Sequence, residues 1–102
     1  MITTPVQITK KAAEQIKRIM LEKSLPASYG LRIGVEGGGC GRPAKNILGF
    51  DIRKEPDMAY SIRDINVYLD KRQIMFLLGM TIDYYRDEKE EGFIFINNKS
   101  NS

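Results

Sequence analysis

The apolar residues of this sequence fall into short segments that alternate with polar residues, and turn-forming residues separate one segment from the next. A period of two is typical of β-strands that place one face against a core. The segment 29–36 is the clearest case, because Leu31, Ile33 and Val35 share one face. The pattern predicts six or seven short strands, at 6–8, 29–36, 48–52, 60–62, 65–69, 82–86 and 93–96.

Two segments have helical spacing instead. Thr9 is the expected N-cap of a helix that runs to about Lys23. Its apolar stripe is Ala12, Ala13, Ile16, Ile19 and Met20. Asp70 and Gln73 resemble a capping box that opens a second, short helix over 74–78, with Gly79 as its stop.

These elements predict a small, mainly β domain of the α+β class, with the helices on the outside or across one end. We expect the meander after residue 48 to continue through a hairpin around Arg63 and Asp64, and residues 87–92 to form a solvated hairpin tip. We also expect Leu48, Phe50 and Ile52 to point the same way. Residues 1–97 are then one domain, and residues 98–102 a loose polar tail.

Cys40 is the single cysteine, and it lies within Gly37-Gly38-Gly39-Cys40-Gly41 in a sequence without histidine. A protease-type cysteine needs an imidazole base, and a zinc site within one chain needs three or four suitable ligands, so neither can be assembled. Glycines give no core packing, so they indicate a thiolate that a metal, a cluster or another thiol can reach.

Two plainer interpretations of the same residues stay open. A lone cysteine is often a small buried hydrophobe, and the glycines could form an ordinary surface turn. Against them, consecutive glycine N–H groups can bind an anion, and the nearby cations Arg42 and Lys45 favour the thiolate.

Composition narrows the classes further. One cysteine permits no internal disulfide and suits a reducing compartment, and the start of the chain lacks a signal peptide, so we expect a cytoplasmic protein. The longest apolar run, 74–78, is too short to cross a bilayer. The net charge of +3 is polarised, with ten Lys/Arg against four Asp/Glu in residues 1–54 and six against nine thereafter. Without a dense basic cluster or interleaved aromatic residues, we expect no nucleic-acid partner. The carboxylates lack the paired spacing of general acids and bases, which disfavours an enzyme.

The order of motifs resembles the HesB/IscA family, the A-type carriers of iron–sulfur cluster assembly, over nearly the whole chain. The residues that carry this resemblance are Ile8-Thr9 with Ala12-Ala13, Gly30 to Val35 leading to Gly39-Cys40, Val67-x-Leu69-Asp70, Asp83-Tyr84 and Gly92-Phe93-Ile94-Phe95. The resemblance implies a compact HesB-like β-barrel or sandwich. It also implies that Cys40 is the metal ligand, with Gly39, Gly41 and Arg42 beside iron or a [2Fe–2S] cluster.

This sequence departs from the family pattern at two places that concern the ligands of the cluster. Family members similar to this chain carry a Cys-x-Cys pair beyond the Gly-Phe-x-Phe strand, and the usual separation would place that pair just past Ser102. The family's loop usually reads Gly-Cys-Ser-Gly, whereas this chain has Cys40 followed by Gly41-Arg42-Pro43.

A [2Fe–2S] cluster normally takes four thiolates, and each chain here offers one. We therefore expect weak binding of iron or a cluster, or none, with the remaining ligands supplied by a homodimer or tetramer, a small thiol or a partner protein. The expected role is accessory: to pass the cargo to client apoproteins in concert with other assembly proteins. The alternatives are a degenerate relative that acts as an interaction module without metal, and a thiol redox sensor.

Overall fold

Seven β-strands and two α-helices make up the part of the chain that this computed structural model describes, residues 4–37, 41 and 43–97. In chain order they are β1 (Val6–Ile8), α1 (Lys10–Glu22), β2 (Tyr29–Gly37), β3 (Ala44–Ile52), β4 (Asp57–Ile62), β5 (Ile65–Asp70), a 3₁₀ turn (Lys71–Gln73), α2 (Ile74–Leu77), β6 (Met80–Arg86) and β7 (Glu91–Asn97). The prediction of a mainly β chain with two helices is confirmed. Residues 98–102, expected to be a loose tail, lie outside the described residues.

The strands form two mixed sheets, ordered β1-β6-β7 and β3-β2-β5-β4. Within the described residues the sheets do not close into a barrel, so of the two expected architectures the layered one is found. The predicted meander is wrong at one step: β4 does not follow β3 in the sheet, and β5 instead pairs with β2 in parallel, Leu31 opposite Val67 and Arg32 opposite Tyr68. Leu31 and Val67 are fully buried, so this pairing brings two core residues side by side.

Helix α1 lies against the β1-β6-β7 sheet through its contacts with β6. Thr9 accepts a hydrogen bond from the Ala12 amide at 3.2 Å, which confirms it as the N-cap of α1. The stripe of α1 places Ala12, Ala13 and Ile16 in the core, and the helix packs against β6. Full burial of a side chain as large as that of Ile16 contributes about 1.5–3 kcal/mol.

The β4–β5 hairpin and the β6–β7 hairpin match the prediction. Arg63 and Asp64 both have positive φ, 50° and 67°, as a tight two-residue hairpin turn requires. Asp87 accepts hydrogen bonds from the amides of Lys89 and Glu90 at the second tip. Leu48, Phe50 and Ile52 alternate along β3 as predicted, although Ile52, the last residue of this outer strand, is 45% exposed.

Candidate functional site

The hairpin between β2 and β3 carries the predicted thiol segment. The two strands pair antiparallel over nine residues each, from Tyr29 opposite Ile52 to Gly37 opposite Ala44. Residues 38–43 connect the last pair, and Cys40 lies in the middle of that connection along the sequence. Gly39, Cys40 and Arg42 fall outside the described residues, so their predicted roles stay predictions. The structure does define the two strand ends that this connection joins, Gly37 of β2 and Ala44 of β3.

Two glycines at the rim of the connection have backbone conformations that favour glycine. Gly37 has φ +82° and Gly41 has φ +71°, in the left-handed region that other residues seldom adopt. A Cβ at Gly37 would lie 3.0 Å from the Pro43 carbonyl oxygen, whereas one at Gly41 would meet nothing within 4 Å. Gly41 is exposed, so its glycine serves the turn of the backbone rather than packing. Its expected place beside a cluster is untested.

Lys45, the second cation expected to favour a thiolate, is exposed on β3 and lies directly opposite Glu36. Side chains directly opposite on one face of an antiparallel pair are close enough to interact. A carboxylate, that of Glu36, thus lies on the neighbouring strand within reach of Lys45.

Gln73 was not expected at this site. The capping-box interpretation assigned its side chain to the start of the second helix. In the structure Asp70 caps the 3₁₀ turn alone, and its carboxylate accepts from the Arg72 amide at 2.9 Å. The side chain of Gln73 instead bonds the backbone of Val35 twice, as acceptor at 3.1 Å and as donor at 3.0 Å. No local sequence signal distinguishes these two uses of a glutamine amide.

The segment that presents Gln73 is fixed at its start by Asp70. The Arg72 guanidinium donates to this carboxylate at 2.9 and 2.6 Å. These bonds, together with the Arg72 amide, lower the pKa of Asp70 from 3.8 to about 2.

A pH prediction follows from Asp70. Because its folded pKa lies below its unfolded value, its stabilising contribution is complete above pH 3.8 and is lost as the pH falls from 3.8 toward 2. The difference in free energy of unfolding between the parent protein and Asp70→Asn should therefore shrink as the pH falls across that interval. Denaturant unfolding at a series of pH values measures this difference. Arg72→Ala should remove most of the same pH-dependent difference. A gap that stays constant from pH 5 to pH 2 would contradict this assignment.

A pocket of about 200 Å³ opens beside the hairpin, lined by Val35, Gly37, Ala44, Gln73 and Phe76. Phe76 is 68% exposed and Met75, beside it on α2, is 77% exposed. The base of the thiol connection is thus bordered by the Phe76 side chain of α2.

The end of β7 lies beside the residues that follow α2. Met80, three residues after the end of α2, pairs with Asn97 at the end of β7. The backbone of Gly79, with φ +85°, donates to the carbonyl of Pro5 at 2.8 Å. The segment 71–80 therefore contacts β2 through Gln73 and pairs with the end of β7 through Met80.

The described residues do not build a metal site by themselves. Among residues 4–37, 41 and 43–97, no group of three or more cysteine, aspartate or glutamate side chains is placed to hold a metal ion. No helix in that part of the chain has the length and apolar character needed to span a membrane.

The two-sheet fold of this chain is one already seen in solved structures. It is similar to the crystal structure of IscA with a [2Fe–2S] cluster, with a TM-score of 0.77 and 22% identity, covering 94% of this chain and 87% of that one. At this identity the likeness shows a shared fold. The sequence carries the assignment further: the model of the iron–sulphur cluster biosynthesis family matches residues 4–102, and the chain belongs to that family.

Two relatives illustrate its place there. An uncharacterised SufA of Bacillus subtilis strain 168 is 35% identical over 97 residues, which is 94% of this chain and 79% of that protein. The iron–sulfur cluster insertion protein ErpA of Baumannia cicadellinicola is 30% identical over 97 residues, 95% of this chain and 84% of that protein. The family resemblance stated from the sequence motifs is confirmed.

Proposed function

We propose that this protein is an accessory carrier in iron–sulfur cluster assembly, which holds iron or a [2Fe–2S] cluster weakly through Cys40 and passes it to client apoproteins. The observation that carries the proposal is the position of the sole thiol of the sequence, in the connection of a nine-pair hairpin whose rim glycines turn the backbone. The iron is cargo in this role, and the protein is not an enzyme.

The number of thiolates fits transient carriage better than permanent storage. A [2Fe–2S] cluster is held by about four thiolates, and each chain contributes one. Two chains related by a two-fold axis would supply two, leaving the others to a tetramer, a small thiol or a partner protein. Ligands that belong to several molecules can be exchanged one at a time, which suits the transfer of cargo.

The relatives support the same role. The ErpA relative is named an iron–sulfur cluster insertion protein, and the IscA structure of the same fold contains a [2Fe–2S] cluster. By the same reasoning we assign Gly39, Gly41 and Arg42 to the immediate surroundings of the cargo, with Arg42 balancing its negative charge. The expected partners are assembly proteins and client apoproteins in the cytoplasm, and the working form is a homodimer or tetramer.

Anaerobic reconstitution with iron and sulfide tests the proposal. The parent protein should acquire visible charge-transfer absorption and bound iron, and Cys40→Ser should lose both while unfolding at the same temperature. Ser61 is an exposed position on β4 and provides a matched control. Adding Ser61→Cys to Cys40→Ser restores the thiol count but should leave the protein colourless.

The outcomes separate the alternatives. A colourless parent protein without bound iron overturns the proposal in favour of an interaction module. A parent protein that stays colourless and exchanges with oxidised glutathione, forming a mixed disulfide at Cys40 and releasing one reduced glutathione, supports the redox sensor. Release of the bound cluster to an apo-ferredoxin distinguishes a carrier from a protein that only binds iron.

A further inference from the structure

The strand that leads to Cys40 has an open edge. β2 pairs with β3 along its whole length, but with β5 only at Leu31 and Arg32. From Ile33 to Gly37, no second strand of the described residues runs beside β2. The backbone N–H and C=O groups on that edge need other partners, because an unpaired strand edge frays or recruits another chain.

Gln73 supplies that partner at one residue. Its Oε1 accepts from the Val35 amide at 3.1 Å, and its Nε2 donates to the Val35 carbonyl at 3.0 Å. A carboxamide offers one acceptor and two donors, so it can take the place of a single residue of a neighbouring strand. Both polar groups of Val35 on this edge are thereby satisfied, two residues before Gly37.

The glutamine is itself held in place from two directions. It ends the 3₁₀ turn that Asp70 caps, and it directly precedes α2, whose Leu77 is fully buried in the core. Gly34 gives it room, since a Cβ there would lie 3.0 Å from Gln73 Oε1 and 3.3 Å from Ile47 Cγ1. The contact is therefore built into the packing of α2 on β2.

We propose that Gln73 is a positioning residue for the thiol hairpin: it replaces a missing strand neighbour at Val35 and holds the end of β2 from which the chain continues to Cys40. This inference rests on the proposed function only for the task of Cys40, which is to bind iron or a cluster. The positioning of Cys40 itself can be tested in protein that contains no iron.

The first experiment measures the edge directly, by amide hydrogen exchange of the iron-free protein well below its unfolding temperature. In Gln73→Ala the Val35 amide should exchange about tenfold faster than in the parent, a change that matches the loss of hydrogen bonds of ordinary net strength. Gln73→Glu keeps the acceptor for the Val35 amide and should show a smaller increase. Gln7→Ala, which changes an exposed glutamine on β1, is the matched control and should leave the rate unchanged.

The second experiment measures the thiol. Alkylation of Cys40 by iodoacetamide, followed across pH in the same iron-free proteins, should be several-fold faster in Gln73→Ala and intermediate in Gln73→Glu. A purely structural role would lower the unfolding temperature without moving the alkylation rate of the folded protein. An unchanged exchange rate at Val35, or an unchanged alkylation profile in both variants, would overturn the proposal.

The two failures are distinguishable. If the parent protein binds no iron but the Gln73 variants alter exchange and alkylation as expected, the carrier role is wrong and the positioning role stands. If iron binds through Cys40 while the Gln73 variants leave both rates unchanged, the positioning role is wrong and the carrier role stands.

Discussion

Replacing Asp57 with alanine should lower the free energy of unfolding by about 3 kcal/mol, the lower end of what removing one partner of a buried ion pair costs. The Asp57 side chain is 1% exposed and that of Arg32 is 21% exposed. The two form a bidentate pair, with Arg32 Nη1 and Nη2 at 2.9 and 2.6 Å from the carboxylate oxygens. Without the carboxylate, a largely buried guanidinium loses its main countercharge.

The effect should be large because Asp57 joins three parts of one sheet. Its carboxylate also accepts from the Lys54 amide at 2.7 Å, which fixes the turn between β3 and β4. The same Arg32 donates to Asp51 at 3.1 Å and to the Ile52 carbonyl at 3.0 Å. The pair therefore ties the middle of β2 to the end of β3 and to the start of β4.

Thermal or denaturant unfolding measures the prediction, with Asp51→Ala as the matched control. The Asp51 side chain is 31% exposed and shares its charge with Lys54, so its removal should cost no more than about 1 kcal/mol. A loss of about 3 kcal/mol corresponds to a fall of about 12–24 °C in the unfolding midpoint for a domain of this size. Equal effects of the two substitutions would contradict the account.

Acid should weaken the same pair. The hydrogen bond from Arg32 holds the pKa of Asp57 below its ordinary value. A lowered folded pKa means that the stabilisation is complete above the unfolded pKa and is lost as the pH falls through the folded one. The difference in free energy of unfolding between the parent and Asp57→Ala should thus shrink below about pH 4, where the Asp57 carboxyl of the unfolded chain begins to take up its proton.

The second large effect is expected at Gly30, where alanine should cost about 3 kcal/mol or more, at or above the usual range for overpacking. A Cβ at Gly30 would lie 2.6 Å from the Asn66 carbonyl oxygen and 2.8 Å from the Tyr68 ring. The nearer atom belongs to the backbone of β5, which cannot turn aside as a flexible side chain could. The substitution pushes β2 and β5 apart beside Leu31 and Arg32, the two β2 residues that pair with β5.

Gly49 on β3 is the matched control. A Cβ there would meet nothing within 4 Å, so Gly49→Ala should be neutral or stabilise by up to about 1 kcal/mol through the unfolded chain. Denaturant unfolding of the two variants in parallel gives the comparison. A Gly30→Ala protein as stable as Gly49→Ala would show that the close approach of β2 and β5 does not exist in solution.

The local elements were predictable because their signals are local. Alternation placed Leu31 and Ile33 on the core face of β2, and Thr9 marked the start of α1. The strand order was not predictable in the same way. β3 and β5 both offer alternating apolar residues, and nothing in either segment says that β5 crosses to lie parallel with β2.

The residues of the candidate site were likewise predictable only where their signal is local in the sequence. Cys40 stood out because a unique thiol among glycines is visible in the sequence itself. Asp57 did not stand out in the sequence, since its partner Arg32 is 25 positions away. Gln73 was assigned to a nearby cap because local bonding by a polar side chain is the usual expectation, whereas its real partner, Val35, is 38 positions away.

The most direct measurement of the central claim is native mass spectrometry of the anaerobically reconstituted protein. The account predicts that each [2Fe–2S] cluster appears only on species with two or more chains, or with an added thiol ligand, and that Cys40→Ser gives no such species. A cluster retained by a single chain without added thiol, or retained by Cys40→Ser, would contradict the account.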